Sequence, residues 1–431
     1  MKNEKFLEKQ LADLLNKGSD KQDLLNLKGK IENTIQYIDD RDKEEIISGL
    51  EQEIIEESQK FLQQHNDLNQ ELLTALSTCI YLPDFKTGDY KIKFISGKNS
   101  SGIDVNDSTL FDVASITKMY SLLLIFKLAE FNIISLNDKV SDLDSDFSNL
   151  GDFTINDLIR MCGELYTNGA IKNATTKEEA YEILKTVYLK SNDRSRNQYT
   201  DLGMIVLSKV IEKKVSEYLG QALTYDQIMN KYILEPFGLS NTQFNPSSSN
   251  VAGNANDMSL VHDPKSRILG GAVGSAGIFT NADDLAKLAK EMYRVTYADY
   301  NSIKNIVSPQ NLQMMGTVIF PDSPQNNKGL VGLYQKNMDR EKKWLQPLVY
   351  ADQSFTAQGF TGAVATFDPK NKIHNSFLFD SIKTGENNKP DGFMQAFNVY
   401  QKFIVGETIT LYIVKKYYDQ ILKDNSYDKT I

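Results

Sequence analysis

The stretch of this 431-residue chain that most limits its fold is TLFDVASITKMYSLLLIFKL, residues 109–128. From Ile116 onward it is apolar on every side for about three helical turns, and a helix without a polar face belongs in a protein centre. Its first turn nevertheless carries a hydroxyl at Ser115 and an ammonium at Lys118. Burying both without partners would cost several kcal/mol, so the pair is expected where a buried helix meets a cleft. Residues three apart share a helix face, and their side chains can meet. The positive end of the helix dipole and desolvation by the following residues both act to lower the pKa of Lys118. A lysine relieved of its proton beside a serine is a base beside a nucleophile, the arrangement that covalent catalysis requires.

On either side of this helix the pattern differs. Residues 1–75 read as a charged helical extension, with Leu11, Leu14 and Leu15, then Ile46, Ile47, Leu50 and Ile54, at helical spacing. Packing on the main body is the expectation for it, and a protein contact through these helices is the alternative. At about residue 76, TCIYLP and DYKIKFISG read as strands separated by a polar turn. The middle is mainly helical: FTINDLIRM with Thr154 as N-cap, YTDLGMIVLSKVIEKKVSEYL, and DDLAKLAKEMY capped by Asn281 or Asp283. Strand patterning returns in KWLQPLVYAD, GAVATFDP and HNSFLFDSI, and an amphipathic segment over 393–422 closes the chain. The predicted class is α+β, with a main domain over 76–431. In it, one antiparallel sheet is drawn from about 76–112 and 344–431, and a helical subdomain over 113–343 is inserted.

Several functions are excluded by composition. A net charge of −9 with no local block of Lys or Arg argues against a nucleic-acid surface. The longest apolar run is too short to span a bilayer. The N-terminal stretch lacks the apolar core of a signal peptide, so a cytoplasmic location is expected unless a leader has been removed. Cys79 and Cys162 are flanked by apolar residues and read as buried thiols. His65, His262 and His374 lie far from one another and from both cysteines, so no metal and no cofactor is expected. His262-Asp263 reads as loop rather than as part of a triad, because a neighbouring aspartate cannot readily orient the ring. Gly270, Gly271, Gly274 and Gly277 lack the strand–glycine–helix order of a phosphate loop and point to close packing.

In order along the chain, the opening helix, FTINDLIRM, NQYTDLGMIVLSKVIEKKVSEYL, VHDPKSRILGGAVGSAGIFTNADDLAKLAKEM and GFTGAVATFDPKNKIHNSFLFD resemble one group of proteins. These are the serine hydrolases that include class C β-lactamases, penicillin-binding DD-peptidases and β-lactamase-like esterases. The likeness runs from about Lys91 to Ser381. It implies a β-lactamase/DD-peptidase-like fold and an acyl-enzyme, with Ser115 as nucleophile and Lys118 as its neighbouring base. It also implies that Tyr199 passes a proton between the serine and the leaving group.

Two departures stand out. The second motif reads Tyr-Thr-Asp, so Asp201 replaces an asparagine, and an ionised carboxylate accepts hydrogen bonds but cannot donate them. The third motif, Lys-Thr-Gly or His-Thr-Gly in relatives, falls on Ala357-Gln358-Gly359, without its cation. Asp201, Gln358, Gly359 and Phe360 are the expected oxyanion- and substrate-facing residues. In that scheme the N–H of Phe360 joins that of Ser115 in the oxyanion hole, and Gly359 lets the strand approach a ligand closely. A literal Lys383-Thr384-Gly385 ends a strand where the motif should begin one and reads as coincidence. Ser191-Asn192-Asp193 reads as a turn.

The leading expectation is therefore a serine hydrolase acting through an acyl-enzyme on a small, uncharged ester or amide. A binding or scaffold protein that kept the fold without catalysis is the alternative. Penicillin binding, DD-peptidase or β-lactamase activity is third, because those substrates carry a carboxylate and the third-motif cation is gone.

Overall fold

The computed structural model describes residues 75–82, 90–99, 102–247, 250–252, 261–294, 305–320, 329–335, 353–370 and 372–379, with isolated helical positions between 52 and 60. The remaining helical reading of the first 75 residues, the strand reading of KWLQPLVYAD before Gln353 and the amphipathic segment 393–422 lie outside the described residues. The chain divides into two units: Met1–Phe61 with Pro347–Val349 and Met394–Ile431, and Leu62–Gln346 with Tyr350–Phe393. All elements below belong to the second.

The strands are β1 (Ala75–Leu82), β2 (Tyr90–Gly97), β3 (Phe111–Asp112), β4 (Glu164–Tyr166), β5 (Tyr188–Ser191), β6 (Gln243–Phe244), β7 (Ile278–Thr280), β8 (Tyr334–Gln335), β9 (Phe355–Gln358), β10 (Val364–Asp368) and β11 (Ile373–Phe379). Six of them form one sheet in the order β2-β1-β11-β10-β9-β8. Every neighbouring pair is antiparallel, with Cys79 opposite Ser376 and Val364 opposite Gln358. The two ends of the domain meet at the sheet centre, where β1 lies against β11, as strands on both sides of a helical middle require. Phe355, Phe367, Phe377 and Leu378 are fully buried there.

Tyr334–Gln335 departs from the sequence reading: it lies within the stretch read as helical subdomain, yet it forms the sheet edge beside β9. Two residues are too few for alternation to show. The same stretch also holds β4 paired with β5, and β6 and β7, which form a small separate sheet with β3 from the segment expected in the main sheet.

The opening helix is α1 (Thr117–Glu130), and its residues 117–128 are all buried. Thr117, Ser121 and Lys127 each find a polar partner. Thr117 Oγ1 accepts the N–H of Ile278 at 3.1 Å, which docks the helix start on β7. Ser121 Oγ lies 2.8 Å from the Gly274 carbonyl and accepts from the Tyr225 hydroxyl, also at 2.8 Å. Near the far end, the Lys127 ammonium donates to the Asn305 carbonyl and faces the rings of Phe131 and Phe237 at 5.3 and 5.7 Å. Burial lowers its pKa.

The other helices start where the capping chemistry places them. Thr154 and Asp157 form a reciprocal capping box on α2 (Ile155–Ile159). Helix α3 (Leu202–Leu219) begins after Asp201 and buries Ile205, Val206, Leu207, Val210 and Ile211. Helix α4 (Pro264–Ile268) is capped by Asp263, with proline in its first turn. Asn281, not Asp283, caps α5 (Ala282–Tyr293) by accepting from Asp284 N–H at 2.9 Å. Asp283 instead pairs with Lys91 and Lys93 on β2.

Candidate active site

Ser115 lies in a single 3-10 turn, Ala114–Ile116, between β3 and α1. The backbone bends sharply there: Ala114 has φ +43°, a left-handed conformation that costs energy for a residue with a side chain. Asp112 holds the bend. Its Oδ1 accepts the Ala114 N–H at 2.8 Å, and its Oδ2 accepts the His262 N–H at 2.7 Å. Burial pushes the Asp112 carboxyl up to about 6, against the pull of these two donors.

Lys118 is 1% exposed, and its ammonium has three acceptors at bonding distance. These are Ser115 Oγ at 2.8 Å, the Ser275 carbonyl at 2.9 Å and Asp201 Oδ1 at 2.8 Å. An ammonium has three N–H donors and no lone pair, so this arrangement suits the charged form. The result corrects the expectation of a lowered pKa. Burial does work in that direction, but Asp201 and Tyr199 outweigh it, and the Lys118 pKa is raised.

Tyr199 arrives from the turn before α3. Its hydroxyl donates to Ser115 Oγ at 2.9 Å, and its ring faces the Lys118 ammonium at 5.1 Å. The serine oxygen therefore lies between an ammonium and a phenol drawn from separate segments.

Asp201 sits at the N-cap of α3, at the positive end of that helix dipole. Its second oxygen, Oδ2, pairs with Lys265 at 2.8 Å. Burial alone would raise its pKa, yet the two ammonium groups hold it down to about 2. The sign of the pH effect follows. The folded value is below the ordinary 3.8, so the unfolded chain binds this proton more tightly. The stabilisation is complete above about pH 4 and is lost as pH falls towards 2, for about 2 kcal/mol in all. Urea unfolding of the wild type and Asp201→Asn between pH 5 and 2 should show the acid-dependent loss shrinking by about that amount in the variant.

A cleft of about 650 Å³ opens over this pair and is lined by Ser115, Tyr199, Asp201, Gln358, Gly359 and Phe360. Six of the seven sequence-predicted residues thus line one cleft, with Lys118 buried behind Ser115. The strand carrying Gln358 is stitched to the serine turn. A Cβ on Gly359 would stand 2.4 Å from the Val113 carbonyl oxygen, so the glycine serves contact with the turn beside Ser115. Thr361 Oγ1 donates to the Asp112 carbonyl at 2.7 Å. Phe360, about half exposed, stacks on His262 with ring centres 5.4 Å apart.

His262 and Asp263 do not form a catalytic dyad. Asp263 Oδ1 accepts the Ser266 N–H at 2.8 Å and its other oxygen lies 3.4 Å from Lys265. Asp193 in Ser191-Asn192-Asp193 is likewise a turn former, accepting from the Ser195 N–H and hydroxyl.

Sequence reasoning missed Asp112, Lys172, Lys265, Gly332 and Thr361. Asp112 and Thr361 act through backbone groups and carry no motif. Lys172 and Lys265 line the cleft from short helical segments far from Ser115 in sequence. They bear on the expected substrate, because the cation lost from the third motif is not lost from the cleft. Among the described residues no helix is long and apolar enough to cross a membrane, and no group of His, Cys, Asp or Glu is placed to hold a metal ion.

An antiparallel sheet flanked by helices, with serine, lysine and tyrosine meeting at a cleft beside its edge, defines the β-lactamase/DD-peptidase fold. The chain belongs to the beta-lactamase family, whose profile matches residues 90–391. It is 25% identical over 313 residues to "Putative D-alanyl-D-alanine carboxypeptidase" of Escherichia coli O157:H7, covering 63% of this chain and 69% of that one. Among solved structures it is similar to a class C β-lactamase, with a TM-score of 0.61 and 16% identity over 83% of this chain and 96% of the other. It is also similar to EstCE1, a hydrolase with promiscuous acyltransferase activity, with a TM-score of 0.60 and 18% identity over 81% and 99% of the two chains. A third similar structure, FmtA from Staphylococcus aureus, has a TM-score of 0.55 and 21% identity over 83% and 89%. The family is one of serine hydrolases of the β-lactamase and DD-peptidase kind.

Proposed function

We propose that the protein is a serine hydrolase that cleaves a small ester or amide through an acyl-enzyme. One observation carries this reading: Ser115 Oγ receives hydrogen bonds from both Lys118 Nζ at 2.8 Å and the Tyr199 hydroxyl at 2.9 Å. Ser115 attacks the substrate carbonyl. Tyr199 turns its hydrogen from Oγ to the leaving oxygen or nitrogen and delivers it there as it takes the serine proton, so no net charge accumulates on the phenol. Lys118 remains an ammonium and stabilises the negative charge that develops on Oγ during attack. The backbone N–H groups of Ser115 and Phe360 receive the carbonyl oxygen as it becomes an oxyanion. Water then repeats the sequence on the acyl-enzyme, with Tyr199 passing the proton back to Ser115.

A cleft of about 650 Å³ is of the size small ligands occupy, which supports catalysis over a closed scaffold. The test is labelling of the protein by a fluorophosphonate together with turnover of a chromogenic acetyl ester. A fluorescent penicillin in parallel separates general ester chemistry from the D-alanyl-D-alanine carboxypeptidase activity named for the Escherichia coli relative. Labelling by the fluorophosphonate and not by the penicillin is the expected result. Failure of every acylating probe would favour the scaffold reading.

The role given to Tyr199 brings a further prediction at Gly332, which has φ +82° and follows Val331 at φ +49°. A Cβ on Gly332 would stand 2.3 Å from Cε2 of the Tyr199 ring. Gly332→Ala should push the phenol away from Ser115 and lower kcat by about tenfold to a hundredfold, the sensitivity expected of a misplaced reacting group. Backbone strain adds about 1 kcal/mol of destabilisation. Steady-state kinetics with KM and kcat separated, beside a urea melt, measures both.

A further inference from the structure

Asp201 stands where the family resemblance implies an asparagine, and by itself it would be a poor replacement. An amide is neutral and donates as well as accepts, whereas a carboxylate is charged and only accepts. A lone anion there would also oppose the negative charge forming on Ser115 Oγ. Asp201 is not alone, however, because Oδ1 meets Lys118 at 2.8 Å and Oδ2 meets Lys265 at 2.8 Å.

Lys265 is committed to this site by its surroundings. It sits in the first turn of α4, a helix whose start is fixed by Pro264 and by the Asp263 cap. Its other carboxylate neighbour, Asp263 Oδ2, lies at the longer distance of 3.4 Å. Its side chain is 29% exposed and lines the same cleft as Ser115 and Tyr199. Of its three N–H donors, the two carboxylates use two.

We propose that Asp201 and Lys265 act as a unit in place of the asparagine: the carboxylate positions Lys118, while the ammonium cancels the charge and presents its remaining N–H to the acyl part of the substrate. The substrate class that follows is an ester or amide whose acyl group carries a hydrogen-bond acceptor near the scissile carbonyl, such as an N-acylaminoacyl ester. This rests on the serine hydrolase reading above.

The test compares the wild type, Lys265→Met, Asp201→Asn and the double variant on a plain acetyl ester and on an N-acetylaminoacyl ester, with a fluorophosphonate labelling rate for each. Lys265→Met leaves the Asp201 charge to be met by Lys118 without its second cation, so Lys118 offers less positive charge to Ser115 Oγ. The substitution should lower kcat/KM for both esters by about 30-fold and move the alkaline limb of the pH profile upward. Adding Asp201→Asn removes that charge and should recover at least about tenfold of the loss on the acetyl ester, with the limb moving back down. A merely structural pair would instead show additive losses and an unmoved limb. The wild type should prefer the N-acetylaminoacyl ester, and Lys265→Met should lose that preference. Thermal melts of all four proteins show which are folded, and Lys265→Met, in which Asp201 and Lys118 still pair, keeps the comparison with the wild type usable if the Asp201→Asn variants are not. A Lys265→Met protein within twofold of wild type, or a double variant no better than Lys265→Met, overturns the proposal while leaving the hydrolase reading intact. A wild type inert to every ester and fluorophosphonate removes the hydrolase reading and this proposal with it.

Discussion

Ser115→Ala should abolish fluorophosphonate labelling and lower ester turnover by about five orders of magnitude, the scale seen when a covalent nucleophile is removed. The expectation follows from position rather than from motif alone. Ser115 Oγ is the one atom shared by Lys118 and Tyr199, and it faces a cleft deep enough to hold a small acyl group. The variant should fold as the wild type does. Lys118 keeps the Ser275 carbonyl and Asp201 as acceptors, so the change in unfolding free energy should stay within about 1 kcal/mol. Intact-mass spectrometry after exposure to the probe, beside a urea melt, reads both halves. Equal labelling of the variant and the wild type would end the proposed mechanism.

Lys118→Met should do damage of two kinds. The side chain is 1% exposed and its three donors are all used, so its loss strips a partner from Asp201 and from the Ser275 carbonyl together. Removing one member of a buried pair leaves the other uncompensated, and a destabilisation of about 3 kcal/mol is expected. Lys265 still holds Asp201 Oδ2, which keeps the loss from being larger. Activity should fall by about a thousandfold, because the charge that develops on Ser115 Oγ loses its closest cation. The two effects separate in the double variant with Asp201→Asn. With the carboxylate gone, stability should largely return while activity does not. A double variant that regained activity would show that Lys118 serves the fold alone.

Parts of this site were legible in the sequence for identifiable reasons. Ser115 and Lys118 stand on one turn, and the wholly apolar helix after them leaves few places where both could be tolerated. The antiparallel sheet was legible because β1, β2, β10 and β11 each carry enough alternating or β-branched residues to show a period. Tyr199, 84 residues from Ser115, was one tyrosine among 21 until the family resemblance singled it out. Lys265, Asp112, Thr361 and Gly332 resemble ordinary turn residues, and only tertiary contacts between distant loops give them meaning. The direction of the Lys118 pKa was misread for the same reason. The dipole and the apolar surroundings are local and visible, whereas the carboxylate at 2.8 Å arrives from another helix.

The stitching of the serine turn to the strand at Gly359 and Thr361 has a consequence for how the protein comes into being. The two walls of the cleft are separated by about 250 residues of chain, and β11 must lie between β1 and β10 before β9 has a sheet to belong to. Contacts this far apart in sequence close late and slowly. A nascent chain that has displayed Ser115, Lys118 and Tyr199 still lacks Gln358, Gly359 and Phe360, which line the same cleft. The cleft is complete only once β9 has joined the sheet through β10 and β11, so a chain that stops before Phe379 carries Ser115 without the strand that lines the cleft with it.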